Sequence, residues 1–493
     1  MRIVHLSSEF APIAKAGGLG EVLVGLSREL TKKGHEVETV IPKYDLIKPS
    51  ELENLKLEIS NFDVLGYKNA AWSAKAEDCS LHFLDAHHPS RYFSRKKIYG
   101  CKDDISRFLY FSCMALEYLS IRNEPIDILH LHDWHVSFCA PMVKDFFKNL
   151  KIKAIVLSIH NVEYQGKCGV KDLEEIGLDA ASYLSPDKLQ DNDPKHPKSI
   201  NLLKAGIVYS DAIVPVSPSY AKEILTPEYG FGLDPTLEKE KHKIRGILNG
   251  IDTKLWDPER DCHLDLHYGC ESVYKAKKFY RDKFCLPQEN RPWVGAVTRL
   301  VPQKGPELLE AALKRTVELG GTFLLLGSSP IPEIQKQFDR LQKEYVTHPQ
   351  VLLHYEYNEP LAHKIYACLD FLLVPSHFEP CGLTQLIAMR YGTVPIVRET
   401  GGLKDTIFDC ENSKVPPEKR NGFLFKSFTP QALNQTLFRA FELFRNDPSS
   451  FKALIRRGML SDFSWEKSGE EYARLYRSLL SRTLNSEPTT VNF

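Results

Sequence analysis

RIVHLSSEFAPIAKAGGLGEV, residues 2–22, runs from an apolar segment into a lysine followed by three glycines. IVHLS reads as a buried strand, so KAGGLGEV (15–22) stands where a first strand hands over to a first helix. Glycines there let main-chain N–H groups approach an anion, a helix N-terminus adds partial positive charge, and Lys15 supplies a point charge. A nucleotide phosphate suits such a corner; an ordinary strand-to-helix turn is the plain alternative. A dinucleotide fingerprint fits less well, because Gly17, Gly18 and Gly20 do not space as G-x-G-x-x-G, although Glu38 lies near the acidic position it requires.

The same handover repeats along the chain. IVHLS, VETVIP, ILHLHD, IVLSIHN and AIVPVS in the first half read as strands between helical segments, as do WVGAVTRL, TFLLLGS, VLLHYEY, FLLVPS and VPIVRE in the second. Apolar runs this short suit strands covered on both faces, and their alternation with helices predicts doubly wound parallel sheets. We therefore expect an α/β chain of two Rossmann-like domains facing a deep cleft, where ligands of open sheets collect. A polar, charged zone around 226–243 and the turn-like LNGID (248–252) place the boundary, giving a first domain at 1–247 and a second at 248–461. Residues 462–486 hold the amphipathic WEKSGEEYARLYRSLLSR, with Tyr472, Leu475, Tyr476, Leu479 and Leu480 on one face. Which domain that face covers is not written in its own residues. The tail, 487–493, reads as disordered. AGGL at 16–19 has an echo in TGGL at 400–403, each between a strand and a predicted helix.

At 493 residues the chain is long for one core. Lys+Arg and Asp+Glu each number 64, so the formal net charge is zero and no global basic field exists to hold nucleic acid or an anionic membrane. Eleven cysteines, odd in number and without a Cys-x-x-Cys pair, argue for reduced thiols rather than a disulfide framework or zinc ribbon. No run approaches the ~20 apolar residues of a membrane span, and MRIVHLSSEFAP lacks the apolar core of a signal peptide. A soluble, cytoplasmic protein is expected.

Four further stretches carry candidate chemistry. HLHDWH (130–135) has the look of a metal cluster, but in the strand ILHLHD the rings of His130 and His132 share one face and Asp133 points away from them. It reads better as a strand end delivering Asp133, Trp134 and His135 to a ligand, an indole beside polar groups suiting a sugar. In HNVEYQG (160–166), His160 and Asn161 follow a strand and could hydrogen-bond hydroxyls or stabilise developing charge. TRLVPQKG (298–305) puts Arg299 and Lys304 on one short loop, two cations that balance about two phosphate charges without a metal. SHFEPCGLTQL (376–386) places Glu379 before a turn and a helix start near Leu383. That carboxylate could bind sugar hydroxyls or stabilise positive charge on an anomeric carbon, while the helix start could meet phosphate. A strand-end turn, a solvated basic loop and a helix-start carboxylate are the bland readings of the last three. Asp191-Asn192-Asp193 spells the Asp-x-Asp clamp of other nucleotide-sugar enzymes, yet its Pro- and Lys-rich loop reads as solvated, and no metal site is predicted.

Taken in order, the motifs carry a resemblance. KAGGLGEV, HLHDWH, HNVEYQG, LKAGIVYSD, VSPSYAKEI, LNGID, TRLVPQKG, FEPCGLTQL and ETGGLKD stand in the order and spacing seen in bacterial glycogen synthases and plant starch synthases. With the closing FSWEKSGEEYARLY, the likeness spans essentially the whole chain. It implies the GT-B-type two-domain glycosyltransferase fold with a C-terminal helix returning to the N-terminal domain. It also implies transfer of glucose from a nucleoside diphosphate sugar, normally ADP-glucose, to the 4-hydroxyl at the non-reducing end of an α-1,4-glucan, glycogen or a maltooligosaccharide, with retention of configuration. No cofactor or metal is implied beyond donor and glucan. By motif, Lys15 with the Gly17 and Gly18 backbone would meet the distal phosphate and glucose. Arg299 and Lys304 would neutralise the diphosphate, assisted by amides around Leu383 and Thr384, and Tyr357 would contact the nucleotide. Glu379 with the Cys381–Gly382 turn would hold the transferred glucose. His160, Asn161 and Asp133, with Trp134 and His135 beside them, would line the sugar and acceptor side. The implied catalytic set is Glu379, His160, Arg299, Lys304 and Lys15.

Two positions depart from the family. Glu21 stands in the donor site where Asp is usual, and Ile387 stands where the wider fold class often carries a second Glu for ribose. UDP-glucose is thus the alternative donor, and a glucan-binding protein without turnover the alternative function. Because no second carboxylate completes a glycosidase pair, front-side attack guided by the leaving phosphate is expected over a covalent intermediate.

Overall fold

All ten expected strand segments are strands in this computed structural model, which describes residues 1–286, 291–356, 358–411 and 414–486. The strands of the first half are β1 (Arg2–Leu6), β2 (Glu36–Pro42), β3 (Glu53–Val64), β4 (Tyr67–Ala76), β5 (Cys79–Ala86), β6 (Ile126–His132), β7 (Ile152–Ile159), β8 (Lys167–Cys168), β9 (Ile200–Asn201) and β10 (Ala212–Pro215), five of which, β3 to β5, β8 and β9, were not read from the sequence. Apart from the small β8–β9 pair, they form one sheet in the order β10-β7-β6-β1-β2-β5-β4-β3. β1 pairs in parallel with β2 on one side and β6 on the other. The order therefore reverses at β1, the place where a doubly wound sheet receives its ligand at the strands' carboxyl ends. The added meander β3–β4–β5 is antiparallel within itself and joins β2 in parallel through β5. It escapes a pattern reading because ENLKLEISNFDV is exposed at most positions, so no buried alternation marks it.

The second half repeats the plan with β11 (Trp293–Val297), β12 (Thr322–Leu326), β13 (Val351–His354), β14 (Phe371–Val374), β15 (Val394–Arg398) and the short β16 (Phe423–Phe425). Their order is β13-β12-β11-β14-β15-β16, all parallel, and it reverses at β11. Trp293, Leu324, Leu372 and Ile396 on these strands are buried in one continuous core. The chain divides into two compact units, Met1–Gly250 with the segment from Trp465 onward, and Ile251–Ser464. Residues 487–493 lie outside the described residues.

The C-terminal helix Trp465–Ser486 belongs to the first unit. Trp465, Tyr472, Tyr476 and Leu479 are buried with Ile3, Val22, Leu26, Leu30 and Val156, while Leu475 and Leu480 pack at the edge. Each large side chain so covered contributes about 1.5–3 kcal/mol. The closest approach is at Gly25 in the helix Gly18–Lys32, where a Cβ would fall 1.9 Å from Trp465 Nε1. Gly25→Ala gains about 1 kcal/mol of helix propensity but forces Trp465 out of its seat, and overpacking of this kind costs about 1–3 kcal/mol. The clash should win. Urea unfolding of the variant is expected to show a lower midpoint, and an unchanged or higher one would mean that Trp465 is not an anchor.

Among the described residues no helix is long and apolar enough to cross a membrane. All eleven cysteines are thiols, outside any disulfide.

Candidate active site

In the first unit, the candidate residues gather on loops that leave the carboxyl ends of the adjacent strands β1, β6 and β7. After β1 the chain turns through Ser7–Ser8–Glu9 and enters the helix Gly18–Lys32, with Gly17 as its N-cap in extended conformation. Glu9 is 3% exposed. Its Oε2 accepts the amides of Ala16 (2.7 Å) and Gly17 (2.8 Å), and its Oε1 accepts the Tyr99 hydroxyl at 2.7 Å. The Gly17 N–H, read from sequence as a phosphate donor, is thus turned onto a carboxylate of the protein itself. Lys15 reaches back to Glu21 on the helix, Nζ to Oε1 2.7 Å. The longer side chain at position 21 therefore closes an ion pair with the loop lysine.

β6 is followed directly by Asp133, whose φ of 60° and ψ of −176° are uncommon for a residue with a side chain. The strain aims its carboxylate across to β7, where Oδ1 accepts the amides of His160 (2.7 Å) and Asn161 (3.4 Å). Burial raises the Asp133 pKa to about 7 against the lowering pull of those two amides. An unfolded Asp titrates near 3.9, so between about pH 4 and pH 7 the folded protein holds a proton that the unfolded chain has released. Stability through this group therefore falls as pH rises across that window and is level above it. Comparing wild type with Asp133→Asn isolates the effect. The balance should move toward the Asn variant by up to about 4 kcal/mol between pH 4 and pH 8, and a pH-independent difference would contradict the raised value.

His160 is half-buried, and its Nε2 meets His132 Nδ1 at 3.1 Å; His132 Nε2 in turn meets His5 Nδ1 at 3.0 Å. Burial lowers the pKa of His5 and His160 to about 3 and holds His132 far below the usual range, so the ladder is neutral. His5, His130 and His132 do bring ring nitrogens within 4.8 Å of one another. These nitrogens are already committed: the His5–His132 bond takes two, and His130 bonds Ser158 (2.7 Å) and Tyr476 (2.8 Å). Of the six ring nitrogens of these three residues only His5 Nε2 lacks a partner, and one nitrogen does not make a metal site. Trp134 is 8% exposed; its ring lies against His135 and, edge-on, Phe108, and a Cβ on Gly166 would strike it at 2.3 Å. His135 stacks on Tyr99 at 4.9 Å, with its pKa lowered to about 3 by burial.

One sequence expectation is corrected nearby. Asp191 of the Asp-x-Asp stretch is buried rather than solvated, accepting from Asn201 (2.9 Å) and Lys167 (3.1 Å), while Asn192 bonds the fully buried Lys204 at 2.7 Å. The loop is folded around its own polar groups. Glu38, at the acidic position of the poorly fitting dinucleotide fingerprint, is paired within the protein. It is bound by Arg122 (2.9 and 3.0 Å) and Arg2 (3.2 Å), and although burial pushes its pKa up, hydrogen bonds from His82 and Arg122 hold it far below the usual carboxylate range.

In the second unit the candidates again leave adjacent strands at the point of reversal, β11 and β14. The loop after β11 carries Arg299, exposed and without an ion pair among the described residues, and Lys304. It closes at Gly305, whose φ is 67° and where a Cβ would lie 2.5 Å from the Pro375 carbonyl oxygen, so glycine is required twice over. That close approach brings the two loops together. Lys304 Nζ sits 2.6 Å from Glu379 Oε2, which also accepts the Ser376 hydroxyl at 2.8 Å; Glu379 is 5% exposed. Gln385 ties the Cys381–Gly382 turn by bonding both carbonyls, 3.2 and 2.8 Å, just before the helix Thr384–Arg390 with Leu383 as its N-cap. The TGGL echo has a packing reason. Gly402 N–H donates to the Glu379 carbonyl at 3.0 Å, and a Cβ on it would fall 2.1 Å from the Cys381 carbonyl oxygen. Tyr357 lies outside the described residues. Glu9, Tyr99, Ser376 and Gln385 were not singled out from sequence. Glu9 alone left a signal there, a carboxylate three residues past a buried strand and directly before the apolar run FAPIA.

Two doubly wound units, with chemistry at the strand-order reversal of each, define a GT-B-type glycosyltransferase. Residues 2–239 match the family described as starch synthase catalytic domain, and residues 280–451 that described as glycosyl transferases group 1. The chain is 44% identical to a glycogen synthase of Protochlamydia amoebophila (strain UWE25), covering 98% of this chain and 100% of that one. It is 42% identical to a probable starch synthase 4 of Arabidopsis thaliana, covering 97% of this chain and 47% of that one. Among solved structures, the catalytic domain of starch synthase IV from Arabidopsis thaliana bound to ADP and acarbose matches with a TM-score of 0.93 at 41% identity, over 98% of this chain and 99% of that one. A sucrose-phosphate synthase from Thermosynechococcus elongatus, at 19% identity and a TM-score of 0.61 over 97% and 99% of the two chains, shares the fold. The chain belongs to the glycogen synthase and starch synthase family of glucosyltransferases.

Proposed function

We propose that this protein elongates an α-1,4-glucan by moving glucose from ADP-glucose to the 4-hydroxyl at its non-reducing end, with retention of configuration. The observation that carries the reading is the buried Glu379 held by Lys304 where the order of β11 and β14 reverses. Transfer separates charge: ADP departs as an anion while the anomeric carbon becomes cationic. Lys304 and Arg299 balance the departing diphosphate, Lys15 meets its distal phosphate, and Glu379 holds the glucose and faces the positive centre. Fixed charges act here where solvent would first have to reorient. His160, Asn161 and Asp133 serve the sugar and acceptor side, and the amides near Leu383 and Thr384 support the diphosphate. The scheme runs through side chains of this protein, without a metal, in a reducing cytoplasm that suits eleven thiols.

The test is to incubate the protein and glycogen separately with ADP-glucose and with UDP-glucose and to follow nucleotide release together with chain length. ADP release with chain elongation is the expected result. Faster release from UDP-glucose would overturn the donor, and glycogen binding with no release from either would leave a binding protein.

A further inference from the structure

The glycine stretch after β1 has the parts of an anion cradle, yet its seat is already taken. Glu9 Oε2 accepts the Ala16 and Gly17 amides at 2.7 and 2.8 Å, the two main-chain donors that precede the helix Gly18–Lys32. The carboxylate is itself anchored on its other oxygen by Tyr99 at 2.7 Å, and the Tyr99 hydroxyl lies 2.7 Å from Ser8 Oγ. The chain between Glu9 and the helix is stitched as well, Phe10 and Ala14 exchanging main-chain bonds at 2.8 and 2.9 Å and Ala11 N–H donating to the Gly20 carbonyl at 3.1 Å. A buried carboxylate with three hydrogen bonds is an expensive group to place, and giving up its donors to a second anion would leave it buried and unpaired. Directly before the two captured amides stands Lys15, whose Nζ lies 2.7 Å from Glu21 Oε1.

We propose that Glu9 is a positioning residue for Lys15: its carboxylate clamps the Ala16 and Gly17 amides, so that this part of the main chain acts as a fixed mount for one ammonium. This rests on the assignment of Lys15 to the donor phosphate. Acting through Lys15, Glu9 contributes nothing once that side chain is gone, whereas a residue needed merely for folding contributes in every background.

The experiment is a double-mutant cycle on the full chain, with kcat and KM for ADP-glucose measured on glycogen and the folded fraction of each variant counted by circular dichroism. Lys15→Ala should lower kcat/KM by about 10²-fold, the usual loss on removing one fixed charge-stabilising donor. Glu9→Ala, which frees both amides, should lower it by about tenfold or more, and Glu9→Ala with Lys15→Ala should match Lys15→Ala within about twofold. Glu9→Gln keeps an acceptor for the two amides and removes the charge, so it should stay within about threefold of wild type. Multiplying losses in the double variant, or a Gln variant as impaired as the Ala variant, would overturn the mount. An inert Lys15→Ala would overturn instead the assignment on which it rests, so the two failures are told apart.

Discussion

Glu379→Gln is expected to lower kcat by about 10²–10³-fold while ADP affinity stays within a few-fold of wild type. The substitution keeps shape, volume and an oxygen that can still accept from Lys304 and Ser376, the partners at 2.6 and 2.8 Å. What it removes is the negative charge. That charge matters little to a bound nucleotide and most when the anomeric carbon becomes cationic, so the loss belongs to the transition state. Binding has a reason to hold or tighten: with the opposing negative charge gone, more of the Lys304 charge is available to the diphosphate. The signature is therefore a fall in kcat with KM steady or lower, read from initial rates alongside ADP titration. Near-normal turnover would remove Glu379 from its assigned role.

The fold was legible wherever burial leaves a pattern. Strands of four to eight residues covered on both faces, such as AIVP and FLLV, announce themselves by composition, and every one read that way is a strand. The meander of β3, β4 and β5 was silent because its outer strand lies mostly in solvent, and β16 because three residues hold no period. At the site, the residue types that face a ligand were legible, since a cation or carboxylate after a buried strand has few structural reasons to be there. Their supports were not. His132 could be placed on one face of β6 with His130, but its partners His5 and His160 come from β1 and from beyond β7, contacts that only the sheet order creates. The two Gly-Gly-Leu echoes also parted on inspection of their neighbours. Gly17 yields its amide to Glu9, while Gly402 is a glycine because the Cys381 carbonyl leaves no room for a Cβ.

Lys304→Ala should be the more damaging of the two cation removals in the second unit, with Arg299→Ala the milder. Arg299 is exposed and has no ion pair among the described residues, so its loss should lower kcat/KM by about 10²-fold, chiefly through donor KM, with thermal stability unchanged. Lys304 does two things at once. It offers a charge to the leaving diphosphate, and it neutralises a carboxylate that is only 5% exposed. Without it, Glu379 keeps a single donor, Ser376, and a buried charge lacking its counterion costs about 3–5 kcal/mol where burial is complete. Glu379 relieves that cost by swinging toward water, and the move removes it from service. The expected result is a loss in kcat/KM of about 10³-fold or more, together with a lower melting temperature. Because the two groups share one bond, the damage should not compound: adding Glu379→Gln to Lys304→Ala should cost less than it does in wild type, by about 0.5–3 kcal/mol of coupling, and should restore part of the lost stability. Arg299→Ala combined with Glu379→Gln should instead show simple multiplication of their effects, since no hydrogen bond joins them. Equal losses for Lys304→Ala and Arg299→Ala, with strict additivity in both double variants, would mean that Lys304 serves the phosphate alone and that its contact with Glu379 has no part in the transfer.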